Sequence, residues 1–307
     1  MQRILILICL SALTPFSSMA DEPLQLVEIA PGNFVHQGIH ALPDTVNHGD
    51  IANIGFIIGD TCVAVVDSGG SPRQGEALRR EIAARTSLPV CYVINTHVHP
   101  DHILGNLAFR QPGTHFVGHR KLEPAMASRA PYYTETARRE AGIELHPEHF
   151  VVPDLPVSQV TELDLGGRRL QLTAHRTAHT DNDLSILDLK TGTLWLGDLL
   201  FMGHLPVVDG SLLGWLREID ALKTVSAARV VPGHGPVQAA WPLALAAEER
   251  YLQNLADAVR HAIQSNWTLE RAVAEIAAID RPDWQLYEPF HKRNVSGAFA
   301  EMEWEGE

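Results

Sequence analysis

The sequence predicts an α/β fold in which two β-sheets pack face to face, helices cover their outer sides, and a helical extension follows. Three observations support this prediction. Short β-rich segments from Leu24 to Asp67 are followed by alternating helix and strand patterns up to His119, a second β-rich half ends at His234, and the pattern turns helical from Trp241 onward. Two β-rich halves that each carry helices are typical of two packed sheets with an outer helical layer.

The first half begins with four short β-rich segments, separated by turn residues, between residues 24 and 67. Residues 71–86 then read as an amphipathic helix, because Ser71 is a good N-cap and Pro72 suits the first helical position. The continuous apolar run "PVCYVI" follows and is typical of a strand covered on both faces.

The strand "THFVGH" comes next, and residues 121–150 follow it. This region is helical and then rich in His and Pro, and it is a candidate for a lid over the site. The second β-rich half begins after it. Strands, one helix and a final strand are then predicted in "RRLQLTAH", "DLSILDL", "TLWLGD", "GWLREIDALKTV" and "ARVVPGHG". We expect residues 21–240 to form one domain and residues 241–307 to form a helical C-terminal extension.

The first 20 residues have the pattern of a secretory signal peptide. The basic start "MQR" precedes a short apolar run, and small residues at Ser18 and Ala20 mark a cleavage site. An uncleaved membrane anchor is the alternative. We therefore expect an exported protein, periplasmic in a bacterium, with no membrane span after cleavage, since no later apolar run approaches the roughly 20 residues that a span needs.

The net charge indicates which partners to expect, and the cysteines indicate whether a disulfide can form. The formal net charge is −13, and an acidic surface repels a phosphate backbone, so nucleic acid is a poor candidate partner. Cys62 and Cys91 lie at equivalent places in two predicted strands. Export permits a disulfide between them. Cross-strand bridges are often strained, so buried free thiols are the favoured expectation and a disulfide is the alternative.

The segment "NTHVHPDHILGN" concentrates metal-ligating side chains directly after a predicted strand. His97 and His99 can point the same way just past the strand end, and Asp101 and His102 join them from the start of a helix. Imidazole with one carboxylate suits zinc or iron(II) better than magnesium or calcium. Four candidate ligands exceed the three that a catalytic zinc commonly takes from protein, which indicates two metals.

Three further candidate ligands follow strands later in the chain. His179 lies in the turn "TAHTDNDL", Asp198 ends the apolar strand "TLWLGD", and His234 lies between glycines in "VVPGHGP". A single histidine or aspartate at a strand end is more often structural than ligating. Together with the first cluster, however, these residues supply three more candidate ligands, all at the ends of strands.

This ordered set resembles the metallo-β-lactamase superfamily, over about residues 24–236. The resemblance implies an αββα sandwich with the metals at the edge of the two sheets, and a supporting role for Asp67. It implies that His97, His99 and His179 bind one metal. Asp101, His102 and His234 would bind the other, and Asp198 would bridge the two.

Segments outside the ligands resemble a narrower branch, the SoxH-type quinoprotein relay system zinc metallohydrolases. The matching stretches are "NHGDIANIGFIIGD", "GDLLFMGHLPVVDGSLLGWL" and "HKRNVSGAFAEMEWE". This closer resemblance implies a functional link to a periplasmic quinoprotein or cytochrome oxidation system.

The predicted function is a binuclear zinc hydrolase, with iron as the other candidate metal. Two divalent metals lower the pKa of a shared water, and the resulting hydroxide attacks the acyl carbonyl of a small-molecule thioester, ester, lactone or lactam. Asp101 and Asp198 are the catalytic candidates, because they orient the water and one of them can shuttle its proton. The alternatives are a mononuclear iron persulfide dioxygenase and a non-catalytic metal-binding accessory protein.

Substrate contacts are predicted with less support from the sequence, because these side chains are known only to follow strands or to lie in loops. The candidates are His48, Asp50, His119, Arg120, His204, Asp209, Ser211, Trp215 and residues 291–293.

Overall fold

The computed structural model of the chain describes residues 23–276, 281 and 284–304, so the predicted signal peptide lies outside the described residues. Two β-sheets share one apolar core, in which Val66 and Ile94 of the first sheet join Leu172, Ile186 and Trp195 of the second. Helices pack on the outer faces of both sheets. This arrangement confirms the predicted α/β sandwich.

Within the described residues, the first sheet has seven strands in sequential order. They are β1 (Leu26–Ala30), β2 (Asn33–His36), β3 (Ile54–Ile58), β4 (Val63–Val66), β5 (Val90–Ile94), β6 (His115–His119) and β7 (Leu155–Val157). Strands β1 to β4 pair antiparallel, and β4 to β7 pair parallel. The parallel half matters for function, because loops at the carboxyl ends of parallel strands commonly form ligand sites.

In the part of the chain that the structure describes, the second sheet has five strands, β8 (Val160–Asp164), β9 (Arg169–Ala174), β10 (Leu184–Asp188), β11 (Thr193–Phe201) and β12 (Arg229–His234). Their order in the sheet is β12-β11-β10-β9-β8, and only the β11–β12 pair of this sheet is parallel. Sequence reasoning missed β7 and β8. In β8 a single side chain, that of Leu163, is buried, so this edge strand has no alternating apolar pattern to detect.

The helices are α1 (Pro72–Arg85), α2 (Pro100–Ile103), α3 (Leu122–Thr136), α4 (Leu212–Leu222), α5 (Ala246–Gln264), α6 (Leu269–Glu275) and α7 (Tyr287–Met302). As predicted, α1 begins at Pro72, and the Ser71 hydroxyl accepts a hydrogen bond from the Gln74 backbone N–H. Helices α4 to α7 share one apolar cluster, which includes Trp215, Tyr251 and Val295. Among the described residues, no helix is long and apolar enough to cross a membrane.

A disulfide joins Cys62 and Cys91, so the favoured expectation of free thiols is wrong. Cys62 directly precedes β4 and Cys91 lies in β5, and the parallel pairing of these strands places the two Cα atoms 5.8 Å apart. That separation falls in the range of ordinary disulfides. The register of two strands decides whether the thiols meet, and the local sequence does not contain that register.

Reducing this disulfide is expected to lower the free energy of unfolding by up to about 3–4 kcal/mol, because the bridge closes a loop of 29 residues and so restricts the unfolded chain. Thermal unfolding with and without reductant measures the effect. The paired Cys62→Ala and Cys91→Ala variant is the control, since reductant should not change its Tm. Equal Tm values for the oxidised and reduced wild type would contradict the prediction.

Candidate metal centre

The structure brings all seven predicted metal-ligating side chains to one edge of the sandwich. The segment 97–102 follows the carboxyl end of β5, His179 lies between β9 and β10, and His234 ends β12. The potential ligand atoms form two groups, and within each group they lie within 4.8 Å of one another. The groups are His97, His99, His179 and Asp198, and Asp101, His102 and His234.

Asp198 does not end its strand as expected, because β11 continues to Phe201. The strand is irregular there: its register against β12 shifts on both sides of Gly197, whose φ is +52°. Glycine adopts this left-handed conformation without strain. Gly233 of β12 is also required, since a Cβ atom at that position would collide with Asp198 Oδ1. The two glycines therefore let β12 approach closely and leave room for the Asp198 carboxylate.

In the first group, three imidazole nitrogens converge. His97 Nε2 lies 3.1 Å from His99 Nδ1, and His179 Nε2 lies 2.9 Å from the same atom. Asp198 Oδ2 completes the group, 3.6 Å from His97 Nε2 and 3.4 Å from His179 Nε2.

In the second group, Asp101 Oδ2 lies 3.3 Å from His234 Nε2 and 3.6 Å from His102 Nε2. Asp198 reaches this group too, with Oδ1 3.2 Å from His102 Nε2 and Oδ2 3.4 Å from His234 Nε2. One carboxylate therefore faces both groups, as a bridging ligand would.

The outward ring nitrogens of the histidines are held by hydrogen-bond acceptors. His179 Nδ1 donates to the Val207 carbonyl at 2.7 Å, and His234 Nδ1 donates to the Ile51 carbonyl at 2.8 Å. A carbonyl can only accept, so the ring proton sits on Nδ1 and Nε2 turns a lone pair inward. Such outer hydrogen bonds are typical of metal-binding histidines.

Two aspartates orient other histidines of the centre in the same way. Asp67, predicted to support the histidine loop, lies 2.7 Å from His102 Nδ1 and accepts from the Thr96 backbone N–H and hydroxyl. Asp209 Oδ2 lies 3.0 Å from His99 Nε2. Asp209 was predicted as a substrate contact, and its bond to His99 was not foreseen, because 110 residues separate the two.

These contacts show that the donor set fits a metal. Lone pairs of histidine and carboxylate groups point at common centres, and within the described part of the chain the buried atoms His102 Nε2 and Asp198 Oδ1 have no hydrogen-bond partner. Buried polar atoms without partners are costly unless a cation satisfies them. Nitrogen-rich sets of this kind suit zinc or iron(II).

The pKa values of the buried histidines show how strongly the neighbouring carboxylates act on each of them. Burial lowers the pKa of His179, to about 3. Burial also opposes charging of His102 and His234, but the Asp198 and Asp101 carboxylates outweigh it, raising the pKa of His234 to about 9 and that of His102 well above its usual value. The second group therefore attracts positive charge strongly, and a metal must compete with protons there.

A cavity of about 450 Å³ opens onto both groups. Three parts of the chain enclose it: a loop that includes Leu42 and Ile51, the region 121–150 proposed as a lid, and helix α7. Region 121–150 contributes a wall through Arg129, Tyr133 and other side chains of α3 and the turn after it. A volume of this size is typical of small-molecule sites.

Four of the candidate substrate contacts line one of two hollows. His204 and Arg293 line the cavity. The imidazole of His204 has its pKa lowered to about 3 by burial and by His234, so it is neutral. His119 and Arg120 line a separate hollow.

Four of the other candidates have structural contacts. Ser211 caps α4, Trp215 is buried with its ring 5.4 Å from that of His179, and Asp50 binds His36 and Gln74. His48 lies 3.3 Å from the Ala141 carbonyl, which joins its loop to the wall of the cavity. The sequence carried no local signal for the lining residues Arg129, Tyr133 and Phe290, since only packing of distant segments brings them to the site.

Comparison with known proteins places this geometry in a family. The sequence model of the metallo-beta-lactamase superfamily matches residues 49–234 of this chain, and this range includes all seven candidate ligands. A beta-lactamase-like protein 2 homolog of Caenorhabditis elegans is 22% identical over 230 residues, which are 74% of this chain and 66% of that relative.

Solved structures share the fold. A sec-alkylsulfatase of Pseudomonas sp. superimposes with a TM-score of 0.71 and 17% identity, covering 89% of this chain and 49% of the sulfatase. A metallo-beta-lactamase family protein of Thermus thermophilus gives a TM-score of 0.62 and 20% identity, covering 90% and 94% of the two chains. This chain therefore spans about half the length of the sulfatase. By its sequence match and its fold, the chain belongs to the metallo-beta-lactamase superfamily.

Proposed function

We propose that this protein is a hydrolase that uses two zinc ions to cleave an acyl bond in a small molecule. The observation that carries the proposal is the position of Asp198, whose carboxylate faces both groups of histidines within 3.2–3.6 Å. The proposed ligands are His97, His99 and His179 for one metal, Asp101, His102 and His234 for the other, and Asp198 for both.

When bound, a pair of divalent metals would activate a water molecule and polarise the carbonyl that it attacks. Asp101 is suited to the proton transfer, because it lines the cavity, and the carboxylate oxygen that does not face the histidines can accept a proton and pass it to the leaving group. Burial favours neutral Asp101, but His102 and His234 outweigh it and lower its pKa to about 2, so the carboxylate is ionised, as a metal ligand must be.

We further propose that the protein is exported to the periplasm and acts with a quinoprotein or cytochrome system. The signal-like pattern of residues 1–20 supports export, and so does the Cys62–Cys91 disulfide, because such bridges persist mainly in oxidising compartments. The resemblance to SoxH-type proteins supports the link to quinoproteins. Growth of a deletion strain on alcohols that require quinoprotein oxidation tests this link, and unimpaired growth would contradict it.

The hydrolase proposal is tested with purified protein. We expect two zinc ions per chain, steady hydrolysis of at least one chromogenic thioester, ester, lactone or lactam, loss of hydrolysis with a chelator, and recovery with zinc. A single iron with persulfide-dependent oxygen uptake would support the dioxygenase instead. Turnover confined to a sec-alkyl sulfate, or two bound zinc ions with no acyl turnover, would overturn the proposal.

A further inference from the structure

Two arginines share one carboxylate beside the first group of histidines. Arg129 of α3 donates from Nη1 to Asp209 Oδ2 at 2.6 Å, and Arg293 of α7 donates from Nη2 to Asp209 Oδ1 at 2.7 Å. Asp209 Oδ2 also contacts His99 Nε2 at 3.0 Å. Helices far apart in the sequence thus place two guanidinium groups at one point of the cavity wall, next to a proposed metal ligand.

This point carries net positive charge, because two guanidinium groups face one carboxylate. Among the acidic residues that line the cavity, Glu140 is already paired with Arg139 at 2.7 Å, and Asp101 and Asp198 belong to the proposed metal centre. The location is unusual in a chain with a formal charge of −13. A local positive site is needed if an acidic protein is to hold an anion there.

The arginines keep binding capacity after their bonds to Asp209. Each guanidinium carries five N–H donors, and the bond to Asp209 uses one from each. Their side chains are 33% and 52% exposed, and both line the cavity. Planar guanidinium groups fit a carboxylate with two parallel hydrogen bonds. The Asp209 carboxylate holds both in place, so little side-chain entropy is lost on binding.

Much of the remaining cavity wall is apolar. Leu42, Tyr132, Ile143 and Phe290 contribute to it. Such a surface favours the hydrocarbon part of a ligand, since apolar area leaves water on binding.

We propose that the substrate is a small acyl compound that bears a carboxylate, which Arg129 and Arg293 bind, while its hydrocarbon part packs on the apolar wall. The inference rests on the proposed function. Asp209 Oδ2 touches both His99 and Arg129, so a substrate carboxylate bound by Arg129 would be separated from the metal ligand His99 by one side chain, that of Asp209. A short spacer must therefore separate the carboxylate from the scissile acyl bond.

The test uses monothioesters of succinate, glutarate and adipate, each compared with its analogue whose free carboxylate is capped as a methyl ester. The wild type should prefer the acids, with the preference falling as the spacer lengthens. Arg129→Met and Arg293→Met should each raise KM for the acids by roughly 10- to 100-fold, the range for a lost charged hydrogen bond, and raise KM for the acids more than KM for the capped esters. Arg293→Lys should restore part of the loss.

Arg138→Met is the matched control, because Arg138 is exposed, pairs with Glu135 and does not line the cavity. Its kinetics should equal those of the wild type. A second readout does not need turnover: calorimetry should detect glutarate binding to the wild type and at least tenfold weaker binding to Arg293→Met, and dimethyl glutarate should not bind.

The outcomes separate the two proposals. Equal kcat/KM for acids and capped esters, with no calorimetric preference for glutarate, would leave the hydrolase standing and overturn the carboxylate site. Glutarate binding that depends on Arg293, without turnover of any thioester, ester, lactone or lactam, would support the site and overturn the hydrolase. Equal losses on acids and capped esters in Arg293→Met would also overturn the site, since they would indicate a structural effect.

Discussion

Replacing Asp198 by asparagine is expected to reduce hydrolysis by ~10³-fold or more and to leave fewer than two zinc ions per chain. The amide keeps the shape of the side chain but removes the negative charge that faces both histidine groups. Metal ions supply several kcal/mol of transition-state stabilisation, and each 1.36 kcal/mol is a factor of ten in rate. Metal analysis and steady-state kinetics on the same preparation measure the two effects together.

Asp181→Asn is the control for this experiment. Asp181 lies in the loop that carries His179, but its side chain is about half exposed and it pairs with Lys121 at 3.5 Å. We expect its metal content and kinetics to match those of the wild type. If Asp198→Asn kept two zinc ions and wild-type kcat, Asp198 would not be a ligand of both metals.

Replacing Asp67 by asparagine is expected to lower both stability and metal affinity. Asp67 is buried and accepts from the Thr96 backbone N–H, the Thr96 hydroxyl and His102 Nδ1. An amide nitrogen cannot accept, so at least one buried donor loses its partner and the free energy of unfolding should fall by about 2–4 kcal/mol. Loss of such an outer partner also weakens metal binding by ~10- to 100-fold.

The backbone does not confound this result. Asp67 has a φ of +53°, and asparagine tolerates the left-handed region about as well as aspartate does. Chemical denaturation measures stability, and competition with a chromogenic chelator measures zinc affinity.

Asp188→Asn provides the comparison for Asp67→Asn. Asp188 is equally buried, and it pairs with Arg168 and accepts from Asn33 rather than from a histidine of the centre. It should lose stability to a similar degree without losing zinc affinity. Equal losses of zinc affinity in both variants would mean that Asp67 acts through general stability and not through His102.

The sequence by itself predicted the fold class and the seven residues that the structure gathers. That success has a local cause. Six of the seven residues lie at or after the end of a strand, a position that strand and turn patterns mark in the sequence, and the face-to-face packing of the two sheets then brings distant members such as His99 and His179 together. The close spacing of His97 to His102 adds a second local signal, because a turn from strand to helix lets all four side chains face one place.

Only the tertiary structure decided the rest, because it depends on register and packing between distant segments. Cys62 and Cys91 bond because β4 and β5 pair in a particular register. Asp209 meets His99, Arg129 and Arg293 because α3 and α7 pack around one cavity. Residue types and spacing determine which side chains can bind a metal. The residues that line the cavity, however, come together through long-range contacts, which a local sequence pattern does not contain.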